Sequence, residues 1–186
     1  NICFFYSSLF HPAMKSVAPI RKQLGTKTFF NMLGPLTNPS QPNIQMVGLY
    51  NLELLRLYHY LFQENQTQFS IIHALDGYDE ITLTNQVKIN QPQGDFVYEP
   101  KDFNMKKIHP SEIFGGNDIK SASNIFLNIL ENKATEAQNN VVLANSAIGI
   151  QTYFPQLSLN EAIEKAKESL FEKKALASFN ILKKLS

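Results

Sequence analysis

Hydrophobic and polar positions alternate along the chain in a pattern that predicts strands and helices joined by short loops. Residues 44–50 and 69–75 are two strand-like apolar runs, and the segment between them carries apolar residues at helical spacing. Asn51 is expected to cap this helix, which runs through Leu54, Leu55, Tyr58, Leu61 and Phe62. A strand, a helix and a strand with short links form a βαβ unit, so the two strands are predicted to be parallel.

The chain begins with another strand-like run. Residues 2–6 are apolar on both faces, which is typical of a strand inside a parallel sheet. The run starts without an initiator methionine and with the strand already under way, so we expect the protein to continue upstream of Asn1.

The second half of the chain predicts a ribbon followed by helices. Residues 81–99 form short alternating runs around turn material at residues 91–94, and residues 100–117 are expected to be irregular apart from a brief helical turn at residues 111–114. Asp118 is expected to cap a helix, and Ser158 with Glu161 forms a capping-box pair before another. Residues 141–154 are apolar nearly all round and predict a buried helix, in which Asn145 is expected to be a hydrogen-bonded structural amide. A last helix is predicted at residues 175–185.

Composition and charge narrow the class of protein. The chain of 186 residues is long enough to bury a sizeable core, and 17 basic against 16 acidic residues leave a formal charge of +1. A protein with so small a net charge has no positive electrostatic field strong enough to attract nucleic acid or an anionic membrane. No apolar run reaches the roughly 20 residues that span a bilayer. The single cysteine, Cys3, excludes an internal disulfide framework, and a cytoplasmic protein is expected.

Residues 11–39 are the most distinctive stretch of the chain. Two helical signals flank Gly25: the His-Pro pair at residues 11–12 opens the first, and the Gly-Pro pair at residues 34–35 closes the second. On periodicity alone, these residues form an ordinary helical hairpin with a solvated basic face.

An acidic loop follows the strand predicted at residues 69–75. It contains Asp76, Gly77, Asp79 and Glu80, and the carboxyl ends of parallel strands are where such sheets bind ligands. Adjacent carboxylates in a loop suit Mg²⁺, which combines a few carboxylates with waters and substrate phosphates. By itself the string DGYDE is more typical of a simple turn than of a metal site.

The literal sequence of these two stretches resembles the anthranilate phosphoribosyltransferase family. The family's motifs occur here in order and without gaps, as HPAMK at residues 11–15, PIR at 19–21, LG at 24–25, TFFNMLGPLTNP at 28–39 and DGYDE at 76–80. The resemblance implies an α/β fold of the nucleoside phosphorylase and phosphoribosyltransferase type, with a mainly parallel sheet flanked by helices. It assigns residues 1–10 to a strand of the α/β domain, residues 11–39 to a helical hairpin of the small helical domain and residues 40–186 to the remaining α/β domain.

The resemblance also implies site residues. Asp79 and Glu80 would ligate Mg²⁺ bound to the pyrophosphate of 5-phosphoribosyl 1-diphosphate (PRPP), while Asp76 remains a turn residue. The residues expected to contact anthranilate, the aromatic acid, are His11, Met14, Arg21 and Pro35. The family often has arginine where this chain has Lys27. Since lysine lacks the bidentate guanidinium fork, an anion clamp is not expected there.

The implied reaction transfers the phosphoribosyl group of PRPP to the amine of anthranilate, giving N-(5-phosphoribosyl)anthranilate and pyrophosphate in tryptophan biosynthesis. The family's diphosphate loop would precede residue 1, so the chain is expected to be an inactive C-terminal half of a protein whose full length forms a homodimer. Neither nucleic acid nor membrane is an expected partner. Two alternatives stay open: a pyrimidine nucleoside phosphorylase, and a non-catalytic relative that binds nucleic acid.

Overall fold

The computed structural model describes residues 2–10, 19–20, 23, 30–38 and 40–185. His11, Met14, Arg21 and Lys27 lie outside the described residues. The α-helices and strands with defined bounds in these ranges are α1 (Ser7–Phe10), α2 (Phe30–Leu36), β1 (Ile44–Gly48), α3 (Glu53–Glu64), β2 (Gln68–Ala74), β3 (Val87–Gln91), β4 (Gly94–Tyr98), α4 (Ile119–Leu130), α5 (Glu136–Tyr153), α6 (Leu159–Phe171) and α7 (Lys174–Leu185).

The four strands form one mixed sheet in the order β1-β2-β3-β4. β1 and β2 are parallel, with Val47 opposite Ile71, and α3 connects them, which confirms the predicted βαβ unit. β3 and β4 are the predicted ribbon, and both of the pairs β2–β3 and β3–β4 are antiparallel. The α/β class with helices flanking the sheet is confirmed, while the four described strands form a mixed sheet and not a mainly parallel one, because β3 and β4 pair as an antiparallel ribbon.

The sheet separates two apolar cores. Successive side chains of β2 point to opposite faces, so Phe69 and Ile71 pack with Tyr58 and Phe62 of α3, whereas Ile72 packs on the other face. That second face is covered by α5 and α6, through Leu143, Ala144, Ala147, Ile148, Ala162, Ile163 and Ala166. Full burial of an isoleucine such as Ile71 stabilises the fold by about 1.5–3 kcal/mol. Both faces therefore hold β1 and β2 in place.

Residues 2–6 do not form the strand that their apolar run predicts. They are exposed irregular backbone, with Phe4 at 76% exposure, and the next four residues form α1. An apolar run becomes a strand only where its backbone pairs with a neighbour. The described sheet pairings involve β1 to β4 alone, so the predicted strand is wrong for this structure.

The end of α2 and the start of α3 differ slightly from the prediction. Gly34 and Pro35 do not close α2, which continues to Leu36; the Thr37 N–H and hydroxyl then both donate to the Leu33 carbonyl, at 2.9 and 2.8 Å. Proline is tolerated because its fixed φ is helical, although it donates no hydrogen bond. Asn51 lies two residues before the first residue of α3, yet its Oδ1 still accepts the Glu53 N–H at 2.9 Å.

Helices α4 and α6 begin at the predicted caps, whereas α5 begins at Glu136, five residues before the predicted apolar run, because the Thr135 side chain caps it by accepting the Gln138 N–H at 3.3 Å. Asp118 Oδ1 accepts the Ser121 N–H at 2.6 Å at the start of α4, and Ser158 with Glu161 forms a capping box before α6. Two short 3₁₀ helices lie in the stretch of residues 100–117: Pro110–Ile113 overlaps the helical turn predicted at residues 111–114, and Pro100–Phe103 was not predicted. None of the helices within the described ranges is long and apolar enough to cross a membrane.

Candidate functional site at the ends of β1 and β2

The acidic pair Asp79 and Glu80 borders a cavity of about 290 Å³. The other lining residues are Met46, Gly48, Ile72 and Asn145. Gly48 is the last residue of β1, and the acidic pair follows β2 by a few residues. Because β1 and β2 are parallel, both chain segments emerge at the same edge of the sheet, which is the expected place for a ligand.

The acidic loop, residues 76–80, begins with a tight turn. The Gly77 N–H donates to the Ala74 carbonyl at 2.9 Å, and the Ala74 N–H donates to the Tyr78 carbonyl at 2.9 Å. Gly77 has φ = +99°, a conformation that residues with a Cβ rarely adopt. Asp76 accepts a hydrogen bond from the Thr84 hydroxyl, so its carboxylate fastens the loop to the chain that follows it. Asp76 is thus a structural residue of the turn, as predicted.

Gly48 lets the acidic loop lie directly against β1. A Cβ built on Gly48 would stand 1.8 Å from the Asp79 carbonyl oxygen and 2.8 Å from its carbonyl carbon. No residue larger than glycine fits beside this backbone. A glycine inside a strand often marks such a close approach, so the sequence contained a signal for this contact that our sequence reasoning did not use.

Asn145 fixes the other end of the loop. Its Oδ1 accepts the Ile81 N–H at 3.0 Å, and its Nδ2 donates to the Ile81 carbonyl at 2.7 Å and to the Val141 carbonyl at 2.9 Å. The expected structural amide is confirmed. Its partner Ile81 directly follows Glu80, and this location could not be inferred from the periodicity of α5.

The chemistry of the two carboxylates fits a hydrated Mg²⁺. Asp79 and Glu80 are exposed, and neither forms an ion pair with a lysine, arginine or histidine of the described ranges. The same ranges contain no group of three or more His, Cys, Asp or Glu side chains able to enclose a metal. Two free carboxylates at an open cavity are a suitable donor set for a cation whose other ligands are waters and phosphate oxygens.

Pro35 borders an adjoining cavity of about 410 Å³, which shares Met46 and Gly48 with the cavity at the acidic pair. The two cavities therefore lie side by side along the end of β1. The Tyr58 hydroxyl donates to the Met32 carbonyl and ties α2, which carries Pro35, to α3. Burial raises the pKa of the Tyr58 phenol, so it stays protonated and able to donate.

The histidines of the described ranges have local partners. His73 is buried and its Nδ1–H donates to the Leu49 carbonyl at 2.7 Å. His59 Nδ1 pairs with Asn90 Oδ1 at 2.7 Å, and His109 Nδ1 pairs with the Ser111 hydroxyl at 2.8 Å. Each of these three histidines thus has a hydrogen-bond partner outside the acidic loop.

Comparison with known proteins extends the similarity beyond the motifs. A model of the glycosyl transferase family, a/b domain, matches residues 1–176. The anthranilate phosphoribosyltransferase of Flavobacterium johnsoniae is 50% identical over 186 residues, which is 100% of this chain and 56% of the relative. The chain thus spans about half the length of the curated relatives that it matches.

Two solved structures show the same architecture. The anthranilate phosphoribosyltransferase of Saccharomyces cerevisiae in complex with PRPP and Mg has a TM-score of 0.82 and 27% identity, over 92% of this chain and 49% of that one. The same yeast protein in complex with 4-fluoroanthranilate has a TM-score of 0.86 and 26% identity, over 96% of this chain and 53% of that one. The resemblance seen in the sequence is confirmed.

Proposed function

The chain belongs to the glycosyl transferase family, a/b domain, and from this premise we propose that the full-length gene product is an anthranilate phosphoribosyltransferase. It would transfer the phosphoribosyl group of PRPP to the amine of anthranilate, giving N-(5-phosphoribosyl)anthranilate and pyrophosphate in cytoplasmic tryptophan biosynthesis. One observation carries the proposal: half of the residues are identical to those of an anthranilate phosphoribosyltransferase, over the whole length of the chain.

We propose that Asp79 and Glu80 hold Mg²⁺ at the end of β2. Their carboxylates are exposed, free of ion pairs within the described ranges and bordered by an open cavity. When bound, the cation would neutralise negative charge on the departing pyrophosphate. The loop supplies the position, since Gly48 and Thr84 hold its backbone and its first carboxylate.

The aromatic acid is proposed to bind on the α2 side of the metal. Pro35 borders the cavity that adjoins the acidic pair, which supports its assignment to this pocket. His11, Met14 and Arg21 are assigned to it by the family motif. The Arg21 guanidinium would pair with the anthranilate carboxylate through two parallel hydrogen bonds.

The reaction forms a bond between the anthranilate nitrogen and C1 of the ribose while the bond from C1 to the pyrophosphate oxygen breaks. The nitrogen loses one proton to water, and the electron pair of the broken bond leaves with pyrophosphate. Such a displacement needs no protein nucleophile. The site contributes by holding the amine and C1 in line and by keeping charged groups where pyrophosphate develops its charge.

The same family assignment supports a division of the protein into two domains. Residues 11–39 would contribute to a small helical domain and residues 40–186 to the α/β domain. The described helix α2 and the sheet are compatible with this division. We propose that the full-length protein forms a homodimer through the helical domain.

The proposal is tested by following anthranilate fluorescence with the full-length protein, PRPP and MgCl₂. The double variant Asp79→Asn plus Glu80→Gln is expected to lower kcat/KM by about 100- to 1000-fold, as loss of groups that stabilise transition-state charge does. Glu164→Gln plus Glu172→Gln removes the same charge from exposed positions of α6 and the residue after it, and activity is expected to stay unchanged.

Each outcome has a defined meaning. Unchanged turnover and Mg²⁺ dependence in the Asp79 and Glu80 double variant would show that these residues do not hold the metal. Absence of anthranilate consumption by the wild-type protein would refute the activity. Phosphorolysis of a pyrimidine nucleoside would instead identify the phosphorylase alternative, and salt-sensitive DNA binding would identify the nucleic-acid-binding one.

A further inference from the structure

We propose that Asn145 is a positioning residue of the acidic loop, which sets the Asp79 and Glu80 carboxylates at the cavity by holding the backbone of Ile81. This inference rests on the proposed function, because it takes the two carboxylates to be cation ligands. Asn145 itself contacts neither substrate nor metal in this proposal.

The hydrogen bonds of Asn145 form a clamp on one residue. The amide oxygen accepts the Ile81 N–H at 3.0 Å, while the amide nitrogen donates to the Ile81 carbonyl at 2.7 Å. The third bond, from Nδ2 to the Val141 carbonyl at 2.9 Å, lies within α5. This bond to the preceding helical turn restrains the side chain in the orientation that faces Ile81.

The helix that carries the clamp is rigidly packed. The neighbours of Asn145 along α5, Ala144, Ala147 and Ile148, are each 0% exposed. Close-packed interiors do not yield easily to small displacements. Ile81, itself 1% exposed, is therefore held to the core both by its side chain and by its two backbone groups.

The carboxylates depend on this backbone for their position. Asp79 and Glu80 make no side-chain hydrogen bond or ion pair with another described residue that would orient them. Their placement then follows from the backbone on either side. Gly48 and Thr84 contact the loop between Asp76 and Asp79, and Asn145 holds Ile81, the residue immediately after Glu80. Asn145 also lines the same cavity as the two acids.

The test is a titration of Mn²⁺, a paramagnetic substitute for Mg²⁺, followed by electron paramagnetic resonance with the full-length gene product. Asn145→Ala removes all three side-chain bonds and is expected to raise the Kd for Mn²⁺ about tenfold, the usual effect of losing an outer partner of a metal site. The Mg²⁺ concentration at half-maximal kcat is expected to rise by a similar factor, while the KM for anthranilate changes little.

Thr152→Val is the matched control. Thr152 lies on the same helix and is 2% exposed, and its hydroxyl bonds to the Ile148 carbonyl at 2.6 Å and to the Ser70 hydroxyl at 2.7 Å, with no bond to the acidic loop. It is expected to lower the melting temperature and to leave the Kd for Mn²⁺ within about twofold of the wild-type value.

An Asn145→Ala variant that binds Mn²⁺ as tightly as the Thr152→Val control would overturn the inference. If Asn145→Ala is insoluble, Asn145→Ser takes its place: the serine hydroxyl still bonds to Val141 inside the helix but is too short to reach Ile81, so the same tenfold loss is expected and an unchanged Kd refutes the idea.

The two proposals fail separately. If Asp79→Asn plus Glu80→Gln leaves Mn²⁺ binding intact, the metal assignment of the proposed function is wrong. If the double variant abolishes Mn²⁺ binding while Asn145→Ala retains the wild-type Kd, the metal assignment stands and only the positioning role of Asn145 is lost.

Discussion

Substituting Gly48 by alanine adds a single methyl group at the contact between β1 and the acidic loop. The added Cβ would stand 1.8 Å from the Asp79 carbonyl oxygen, whereas ordinary van der Waals contact begins at 3.4 Å. The backbone of Asp79 must therefore retreat by about 1.6 Å. The loop is held on its other sides by Thr84 and Asn145, so it cannot move freely as a unit.

We expect Gly48→Ala to reduce catalytic activity more than it reduces stability. Overpacking costs about 1–3 kcal/mol, and for a chain of this size each kcal/mol lowers the melting temperature by about 2–4 °C. Because the loop is exposed, part of the strain is relieved by moving the loop outward, and that movement displaces the acidic pair. A misplacement of about 1 Å at a reacting site costs on the order of 100-fold in rate.

The assay compares kcat/KM and the Mg²⁺ dependence of anthranilate consumption in Gly48→Ala and Gly149→Ala. Gly149 lies in α5, and a Cβ there would meet Met46 Sδ at 3.7 Å, an ordinary contact. The same glycine-to-alanine change is expected to stabilise this helix by about 0.4–1 kcal/mol and to preserve activity.

A Gly48→Ala protein with wild-type kcat/KM and an unchanged Mg²⁺ midpoint would refute this reasoning. It would show either that the loop accommodates the methyl group without moving its carboxylates or that their position does not matter. A protein with lower stability but full activity would point to overpacking alone.

Two further predictions concern stability. Tyr58→Phe removes the hydroxyl that bonds to the Met32 carbonyl and is expected to cost about 1–2 kcal/mol in urea denaturation, whereas Tyr60→Phe, at an exposed position of the same helix, is expected to cost almost nothing; equal losses would contradict the role of the Tyr58 bond. The hydrogen bond from Lys88, followed by that from Asn90, holds the pKa of Asp95 below its ordinary value of 3.8. A lowered folded-state pKa contributes stability above the ordinary pKa and loses it as the pH falls, so the urea midpoint of Asp95→Asn is expected to vary less than that of the wild-type protein below about pH 4. Asp95 is half exposed, so the difference is small, and identical pH profiles would show that the ion pair contributes nothing.

Much of the fold could be predicted because its signals are local. The period of apolar residues located α3 and β2, and the caps at Asp118 and Ser158 gave the starts of α4 and α6. The strand expected at residues 2–6 failed because strand formation depends on a partner, which a local pattern does not contain. Helix α2 continues past Gly34 to Leu36 because the fixed φ of Pro35 is compatible with a helix.

The candidate site was only partly accessible to sequence reasoning. The motif singled out Asp79 and Glu80, and their position after a strand indicated the edge of the sheet at which they lie. The contacts that hold them come from distant parts of the chain: Gly48 precedes Asp79 by 31 residues and Asn145 follows Ile81 by 64. These residues come together only through the packing of β1, β2 and α5. The spacing of apolar residues along the chain does not predict such a long-range contact.

The acidic loop is held by three residues from separate parts of the chain, Gly48, Thr84 and Asn145. This arrangement also sets a rule for protein engineering. Grafting the five residues DGYDE onto another βαβ protein would transfer the turn and the Asp76 side chain, but neither the missing Cβ at the end of the neighbouring strand nor the amide on the covering helix. A designer who wishes to move this acidic loop needs a recipient with glycine at the end of the adjacent parallel strand, a threonine downstream and an asparagine on the helix behind the sheet. The portable unit is thus a three-dimensional arrangement of eight positions rather than a peptide.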